Sequence, residues 1–190
     1  MSIFKDSGII IKITKLDNKE FLYTIFTEKF WKIITRKKIS KKEKTLDLWY
    51  YITCEIESSK KSDINKIWWI KILSEFLSKN TEYQNGKKFS EINNYLMLLN
   101  TILKKTAFWV PNTPILEIIK KINKYNKNDL EMKLILSNLK VINVLWELNI
   151  ENKDITISKI LKFINKNEIT NILKLSWINE KQKKELQNIL

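Results

Sequence analysis

The sequence predicts an α+β protein in which a small five-stranded β-barrel precedes an all-helical domain. Two observations lead to this prediction. Up to about residue 79, apolar side chains recur at every second position in several short runs, which is the spacing of half-buried β-strands. Beyond a polar stretch at residues 78–88, they recur every three or four positions, as in amphipathic helices. We therefore place a barrel domain at residues 1–79 and a helical domain at residues 80–190.

Five short runs of β-forming residues account for the barrel. They are Ile9–Ile13, Phe21–Thr27, Phe30–Thr35, Thr45–Glu57 and Lys66–Ile72. The polar pair Glu28-Lys29 predicts a hairpin between the second and third runs. The fourth run alternates most clearly, because its even positions from Leu46 to Ile56 are all apolar and its odd positions are mostly polar or amphipathic. Five strands within about 75 residues match a closed barrel of the OB type.

The strand pattern also predicts the orientation of three individual side chains. Cys54 falls on the inward face of the fourth strand, so we expect it to be a small core residue. Trp68 and Trp69 are consecutive, so in a regular strand one of them points into the barrel and the other points outward.

Three segments of the second half carry the strongest helical signals. The first begins near Ser90, a candidate N-cap, and the second begins at Thr113-Pro114, where proline is favoured in the first turn. The third, Asn128–Leu148, is long and apolar enough to be the central helix of the domain. Two or three shorter helices are expected within residues 158–190.

The composition removes most enzyme chemistry. With no histidine and one cysteine, the chain can build neither a histidine-activated nucleophile nor a Cys/His zinc site. With only Gly8 and Gly86, it cannot build a glycine-rich phosphate loop. Glu55 and Glu57 form the best carboxylate pair, but a solvated strand face explains them better than acid–base catalysis. We expect a protein that is not an enzyme and that binds no metal and no cofactor.

The sequence shows neither a membrane span nor a secretory signal. It contains no run of 18 or more uncharged apolar residues, and its N-terminus lacks a basic region followed by a long apolar stretch. A lone Cys54 cannot form an internal disulfide and fits a reducing compartment. We therefore expect a cytoplasmic protein with no membrane partner.

Positive charge is concentrated in one stretch, Lys29–Lys44, which we call the basic segment. The formal net charge of the chain is +14, a balance typical of proteins with an acidic partner such as nucleic acid. Outside the basic segment, residues 1–80 are electrically neutral. Its basic residues are Lys29, Lys32, Arg36, Lys37, Lys38, Lys41, Lys42 and Lys44, against the single acid Glu43. The basic segment should run from the third strand into the loop before the fourth.

Two aromatic residues follow the basic segment. On the strand prediction, Trp49 and Tyr51 project from the outer face of the fourth strand. There they would either stack on the bases of a single strand whose phosphates lie on the lysines, or be covered by the other half of the chain. Of these two alternatives, we favour the one in which the other half of the chain covers Trp49 and Tyr51. We include both residues with the basic segment as the candidate nucleic-acid-binding set.

Three segments, taken in order, resemble the RecO family of bacterial recombination mediators. Residues 7–33, SGIIIKITKLDNKEFLYTIFTEKFWKI, are similar to the first two strands of that family. In the family, the second of these strands ends in FTE or a close variant. The family's basic segment and next strand are similar to TRKKISKKEKTLDLWYYITCEIE, residues 35–57. Its long apolar helix is similar to NDLEMKLILSNLKVINVLWEL, residues 128–148. The resemblance covers nearly the whole chain and is one of residue types, without an invariant signature.

This resemblance implies a function and a set of partners. The family binds single- and double-stranded DNA, anneals complementary strands and acts with RecR to load RecA. It also binds the acidic C-terminal tail of the single-stranded-DNA-binding protein SSB. The tail pocket lies in the helical part of the family, and we assign no residue of this chain to it. Only the basic segment carries over residue by residue as a DNA-contacting element.

The chain departs from the family at three points. Where the family usually has a glycine after the TE pair, this chain has Phe30-Trp31. Many members carry a four-cysteine zinc module after the long helix, whereas here residues 148–158 lead directly to the next helix. The basic segment is mainly lysine where the family has arginine, which keeps the charge but loses bidentate phosphate geometry.

Two other functions are compatible with the same residues. An OB-type barrel with a basic loop and aromatic residues serves RNA-binding or translation-associated proteins equally well, and competition between matched DNA and RNA oligonucleotides distinguishes these. The chain could also be a non-catalytic interaction scaffold whose lysines only increase solubility. Nucleic-acid affinity at moderate salt decides between that scaffold and a nucleic-acid-binding protein.

Overall fold

The structure, a computed structural model, contains an N-terminal closed barrel of five strands followed by a helical region, which confirms the predicted α+β fold. It describes residues 2–17, 19–40, 43, 45–58, 63–76, 89–108, 112–125, 129–151 and 154–190. The predicted linker at residues 78–88 lies outside these ranges. The chain divides into two compact units, one formed by Met1–Asn80 with Thr106–Leu116 and the other by Thr81–Lys105 with Glu117–Leu190.

The barrel consists of the five predicted strands. They are β1 (Ile3–Asp17), β2 (Glu20–Thr27), β3 (Lys32–Lys38), β4 (Tyr50–Glu57) and β5 (Ile64–Glu75). Neighbouring strands follow the order β1-β2-β3-β5-β4, and β4 closes the barrel on β1. The β3–β5 pairing is parallel and joins Ile34–Arg36 to Ile64–Lys66, whereas the other pairings are antiparallel. This topology is compatible with an OB-fold.

Burial confirms the alternation predicted for the fourth run. Tyr50, Ile52, Cys54 and Ile56 all belong to the barrel core and are almost fully buried. Burial, assisted by the charge of Asp6, raises the pKa of the Cys54 thiol to about 12. The thiol therefore stays protonated and packs as a small apolar side chain, as predicted.

Gly8 lies where β1 pairs with both of its neighbours, opposite Thr27 of β2 and Ile52 of β4. A Cβ atom at this position would lie 2.4 Å from the carbonyl oxygen of Phe26. Any other residue would therefore push β1 and β2 apart. The closure of the barrel at this point requires glycine.

The fourth strand begins at Tyr50, later than the predicted start at Thr45. Leu46 and Leu48 precede the strand but still pack on the barrel core, as their even positions predicted. Trp49 lies in the preceding turn with a backbone φ of 66°, and its side chain also packs against the core. The prediction that Trp49 projects from the outer face is wrong, because the turn interrupts the alternation of the strand before it reaches residue 49.

Both tryptophans of β5 are exposed, which corrects the prediction that one of them points inward. Trp68 is 53% exposed and Trp69 is 42% exposed. The strand contains a β-bulge here, because Trp69 pairs with Glu55 and Ile67 pairs with Ile56, which leaves Trp68 as an extra residue. The extra residue lets two successive side chains face outward while Ile67 remains buried.

The helical region contains six helices within the described residues. They are α1 (Phe89–Lys105), α2 (Thr113–Asn123), α3 (Leu130–Val144), α4 (Ile155–Lys166), α5 (Ile169–Ile172) and α6 (Glu180–Gln187). None of them is long and apolar enough to span a membrane. The helix α4 begins earlier than predicted, because the Asp154 carboxylate accepts hydrogen bonds from the backbone N–H groups of Thr156 and Ile157 and so caps its N-terminus.

The helix α3 is buried on most of its surface, as expected of the predicted central helix. It packs against α1, α4, α5 and α6. Nine of its residues are buried, among them Leu134, Leu136 and the charged Lys133. This helix ends at Val144, earlier than the predicted Leu148. The buried Lys133, Ser137 and Asn138 are polar residues that an apolar periodicity does not predict in this core.

The C-terminus of α3 places a tryptophan where glycine is the common residue. Trp146 has a φ of 62°, and its backbone N–H and that of Glu147 donate to the carbonyls of Asn143 and Ile142, which is a Schellman arrangement. Its side chain is 96% exposed, so the indole contributes little packing to offset the strained backbone.

We expect Trp146→Gly to stabilise the protein by about 0.5–1 kcal/mol, because glycine relieves the strain although it also makes the unfolded chain more flexible. Urea unfolding measures the difference. Trp146→Ala serves as the control, because it removes the same indole but keeps the strain, and it should leave stability nearly unchanged. Equal stabilisation by alanine and glycine would contradict the assignment to backbone strain.

Candidate nucleic-acid interface

Within the described residues, the basic segment runs from the β2–β3 turn through β3 to residue 40 and also includes Glu43. Arg36 and Lys38 occupy the outer face near the end of β3 and are exposed, whereas Lys37, between them, is only partly exposed. Lys29 is exposed in the β2–β3 turn, and its ammonium donates to the carbonyl of Lys5 at 3.3 Å. Three further members of the predicted set lie outside the described residues, namely Lys41, Lys42 and Lys44.

Lys32 does not belong to the exposed set. It is 3% exposed, its ammonium donates to the carbonyl of Thr106, and it lies 4.6 Å from the centre of the Phe108 ring. Desolvation by burial lowers the pKa of this ammonium. In this structure Lys32 cannot contact a phosphate, because segment 106–108 covers it. Its burial therefore separates Lys32 from the exposed cations of the candidate nucleic-acid-binding set.

Arg36 forms a bidentate ion pair with Glu20, the first residue of β2. Its Nε and Nη2 atoms donate to the two carboxylate oxygens at 2.7 and 2.6 Å. The hydrogen bond from Arg36 and its charge lower the pKa of Glu20, so this carboxylate is ionised at neutral pH. The side chain of Arg36 nevertheless remains 55% exposed, which leaves the guanidinium accessible to a second anion.

Lys37 is paired in a similar way with Glu43, the single acid of the basic segment. The two side chains meet at 3.1 Å, and the other carboxylate oxygen of Glu43 accepts the backbone N–H of Ser40 at 2.8 Å. The bond from Ser40, and then the bond from Lys37, lower the pKa of Glu43. The carboxylates of Glu20 and Glu43 therefore lie beside the cations of β3, where a phosphate would otherwise bind.

A cleft of about 670 Å³ opens where β3 and β5 separate, and we call it the β3–β5 cleft. It begins where the short parallel pairing of Arg36 with Lys66 ends. The cleft is lined by Glu20, Arg36, Lys37, Lys38, Glu43, Ile64, Asn65, Lys66, Ile67 and Trp68. Glu20 follows the β1–β2 turn and Ile64 follows the β4–β5 loop, the two connections beside which OB-type barrels bind oligonucleotides.

A smaller recess of about 310 Å³ adjoins the β3–β5 cleft and shares Lys37, Glu43 and Trp68 with it. Its remaining lining is apolar and consists of Leu46, Trp69, Ile70 and Ile72. Trp68 therefore stands between a charged cleft and a mainly apolar recess.

The predicted aromatic residues do not line these surfaces. Trp49 packs against the barrel core, as described above. Tyr51 lies on the outer face of β4, as predicted, but it is only partly exposed and its hydroxyl donates to the carboxylate of Glu28. Neither residue lines the β3–β5 cleft or the smaller recess.

The sequence prediction of the site omitted Lys66 and Trp68. The Lys66 ammonium lies 3.7 Å from the centre of the Trp68 ring, and the indole Nε1 donates to Glu57 at 2.8 Å. The stretch KIWWIKI showed a lysine beside aromatic residues. It did not show that β5 would lie parallel to the basic strand, which is what brings Lys66 and Trp68 to the basic segment.

The structure defines a protein with a closed five-stranded barrel, which is compatible with an OB-fold, and a basic β3–β5 cleft that Trp68 borders. In comparisons with known proteins, no family model matches this chain and no curated protein matches it. The β3–β5 cleft brings together four cations, two carboxylates that are paired with two of those cations, and one exposed aromatic ring.

Proposed function

We propose that this protein binds single-stranded DNA in the β3–β5 cleft. The observation that carries the proposal is the convergence of four cations and one exposed ring on that cleft. Arg36, Lys37 and Lys38 come from β3, and Lys66 and Trp68 come from β5. Cations can follow successive phosphates while a ring stacks on a base, which is how single strands are held without sequence preference.

We further propose that the protein acts as a recombination mediator of the RecO type. In this role it anneals complementary strands and, with RecR and the SSB tail as partners, helps to load RecA. The three resembling segments support this proposal, as does the order of a barrel followed by helices.

The first experiment measures the affinity of the full chain for a fluorescent DNA strand of about 30 nucleotides, which exceeds the roughly 4–16 nucleotides that one OB-type barrel covers. We expect binding that weakens steeply with salt, and faster annealing of two complementary strands when the protein is present. Unlabelled RNA of the same sequence should compete less well than unlabelled DNA.

Three other results would each contradict a different part of the proposed function. Stronger competition by RNA would replace the proposal with the RNA-binding alternative. Binding without any acceleration of annealing would remove the mediator role and leave the DNA-binding role. No binding at moderate salt would remove both and favour the interaction scaffold.

A further inference from the structure

We infer that Trp68 and the smaller recess form a subsite for one unpaired nucleobase, which gives the protein a preference for single strands over duplexes. This inference rests on the proposed function, because it assigns a ligand group to one part of the proposed DNA site. It concerns Trp68, which lies outside the basic segment, and a recess that the basic segment borders only through Lys37 and Glu43.

The ring of Trp68 is exposed and is held in place from two sides. Its Nε1 donates to the carboxylate of Glu57 on β4, and the Lys66 ammonium lies against the ring. A ring already held by neighbouring strands loses little conformational freedom when a base stacks on it. The β-bulge that turns Trp68 outward therefore presents an ordered aromatic surface.

The position of Trp68 between the two concave surfaces matches the two chemical parts of a nucleotide. On one side, the β3–β5 cleft carries Arg36 and Lys38, which suit phosphate. On the other side, the smaller recess is lined by Leu46, Ile70 and other apolar groups, which suit the flat faces of a base. Glu43 borders this recess and offers an acceptor to the base edge.

An intact duplex cannot use such a subsite, because its bases are paired and stacked on one another. The cations of the β3–β5 cleft would still attract the phosphates of a duplex. The structure therefore separates two contributions: charge acts on both forms of DNA, and the Trp68 subsite acts on unpaired bases only.

The test compares the parent with Trp68→Ala on three probes of equal length: oligo-thymidine, the corresponding abasic strand, and a duplex. We expect Trp68→Ala to weaken the binding of oligo-thymidine by about 5- to 140-fold, the usual range for the loss of one stacked base. Binding of the abasic strand and of the duplex should be unchanged. Trp68→Phe should recover most of the loss, since a smaller ring can still stack.

Leu73→Ala is the matched control. Leu73 is the extra residue of a second irregularity in β5, it is 49% exposed, and it lines neither concave surface. This variant should bind all three probes like the parent. Circular dichroism and thermal unfolding should show that all variants keep the parent fold, because each change is made at an exposed position.

Two results would overturn the subsite while the proposed function stands. One is an unchanged affinity of Trp68→Ala for oligo-thymidine, and the other is an equal loss on oligo-thymidine and on the abasic strand, which would mean that the ring only positions the cations. A parent protein that binds none of the three probes would instead remove the proposed function, and the subsite with it.

Discussion

Neutralising Arg36, Lys37 and Lys38 together to glutamine is expected to weaken single-stranded DNA binding by about a hundredfold at 0.1 M salt. Each phosphate contact on a single strand contributes roughly 0.7 to the slope of log affinity against log salt, so three lost contacts flatten that slope by about 2. If the parent and the triple variant bind single-stranded DNA with equal affinity at 1 M salt, a slope change of about 2 makes the affinity of the variant about a hundredfold lower at 0.1 M salt. Fluorescence anisotropy titrations over a range of salt concentrations measure both quantities.

The effect should be nearly independent of base sequence, because phosphates position a strand without specifying it. The fold should be spared, since the ion pairs of Arg36 and Lys37 are at the surface and contribute little to stability. Adding Lys41→Gln and Lys42→Gln tests the rest of the basic segment. Those two changes should flatten the slope by about a further 1.4.

Matched controls separate the cleft from general charge. Lys12, Lys15 and Lys71 are exposed on the same barrel and line neither concave surface. Their joint replacement by glutamine removes the same charge and should change the slope by well under 1 unit. If this control and the cleft variant behave alike, or if the cleft variant binds like the parent across salt, the basic segment is only a solvated surface.

Removing a carboxylate from the β3–β5 cleft should have the opposite effect to removing its cations. Glu20→Gln removes an anion that competes with phosphate for Arg36, so it should strengthen DNA binding and steepen the salt dependence. Because the pKa of Glu20 is lowered, this carboxylate competes at neutral pH and is neutralised only in acid, as the pH falls through its folded-state pKa. Unchanged affinity in Glu20→Gln would show that the DNA does not reach Arg36.

The second large effect concerns stability and the buried Lys133 of α3. Its side chain is 2% exposed, and its ammonium meets the Asp129 carboxylate at 2.8 Å and donates to the carbonyl of Leu175. Asp129→Ala would leave this buried charge without its counter-ion. We expect a loss of about 2–3 kcal/mol, below the usual 3–5 kcal/mol for a fully buried pair, because the Asp129 side chain is 44% exposed.

A double-mutant cycle tests the pairing directly. Lys133→Met replaces the buried charge with an apolar chain of similar length and should cost about 1 kcal/mol or less. In that background Asp129→Ala should cost little, because no ammonium remains to be compensated. Urea unfolding followed by the helical circular dichroism signal gives all four stabilities. An equal cost of Asp129→Ala in both backgrounds would contradict the pairing.

The same pair predicts a dependence on pH. Burial alone would raise the pKa of Asp129, but hydrogen bonds from Lys133 and Tyr125 lower it below its ordinary value of 3.8. The stability that ionised Asp129 contributes is therefore complete above that value and is lost as the pH falls through the lower folded-state pKa. Asp129→Asn should lack this loss.

The sequence pattern was sufficient to predict the fold class, because the spacing of apolar residues within one segment shows which face of a strand or helix is buried. Alternation at Tyr50, Ile52, Cys54 and Ile56 predicts their burial without any knowledge of the partner strands. The candidate site was predicted only in part. The concentration of charge located the exposed residues Arg36 and Lys38, but the same reasoning included the buried Lys32 and omitted Trp68.

The sequence by itself determined the number of strands, the inward face of β4, the central helix and the place of the basic segment. Each of these depends on residue spacing within one segment. Only the tertiary structure decided that Arg36 is paired with Glu20, that Lys32 is covered by Thr106, 74 residues away, and that Trp68 and Trp69 both face outward. The physical reason is that ion pairs, covering segments and β-bulges depend on the register and proximity of elements distant in the chain, which local periodicity does not record.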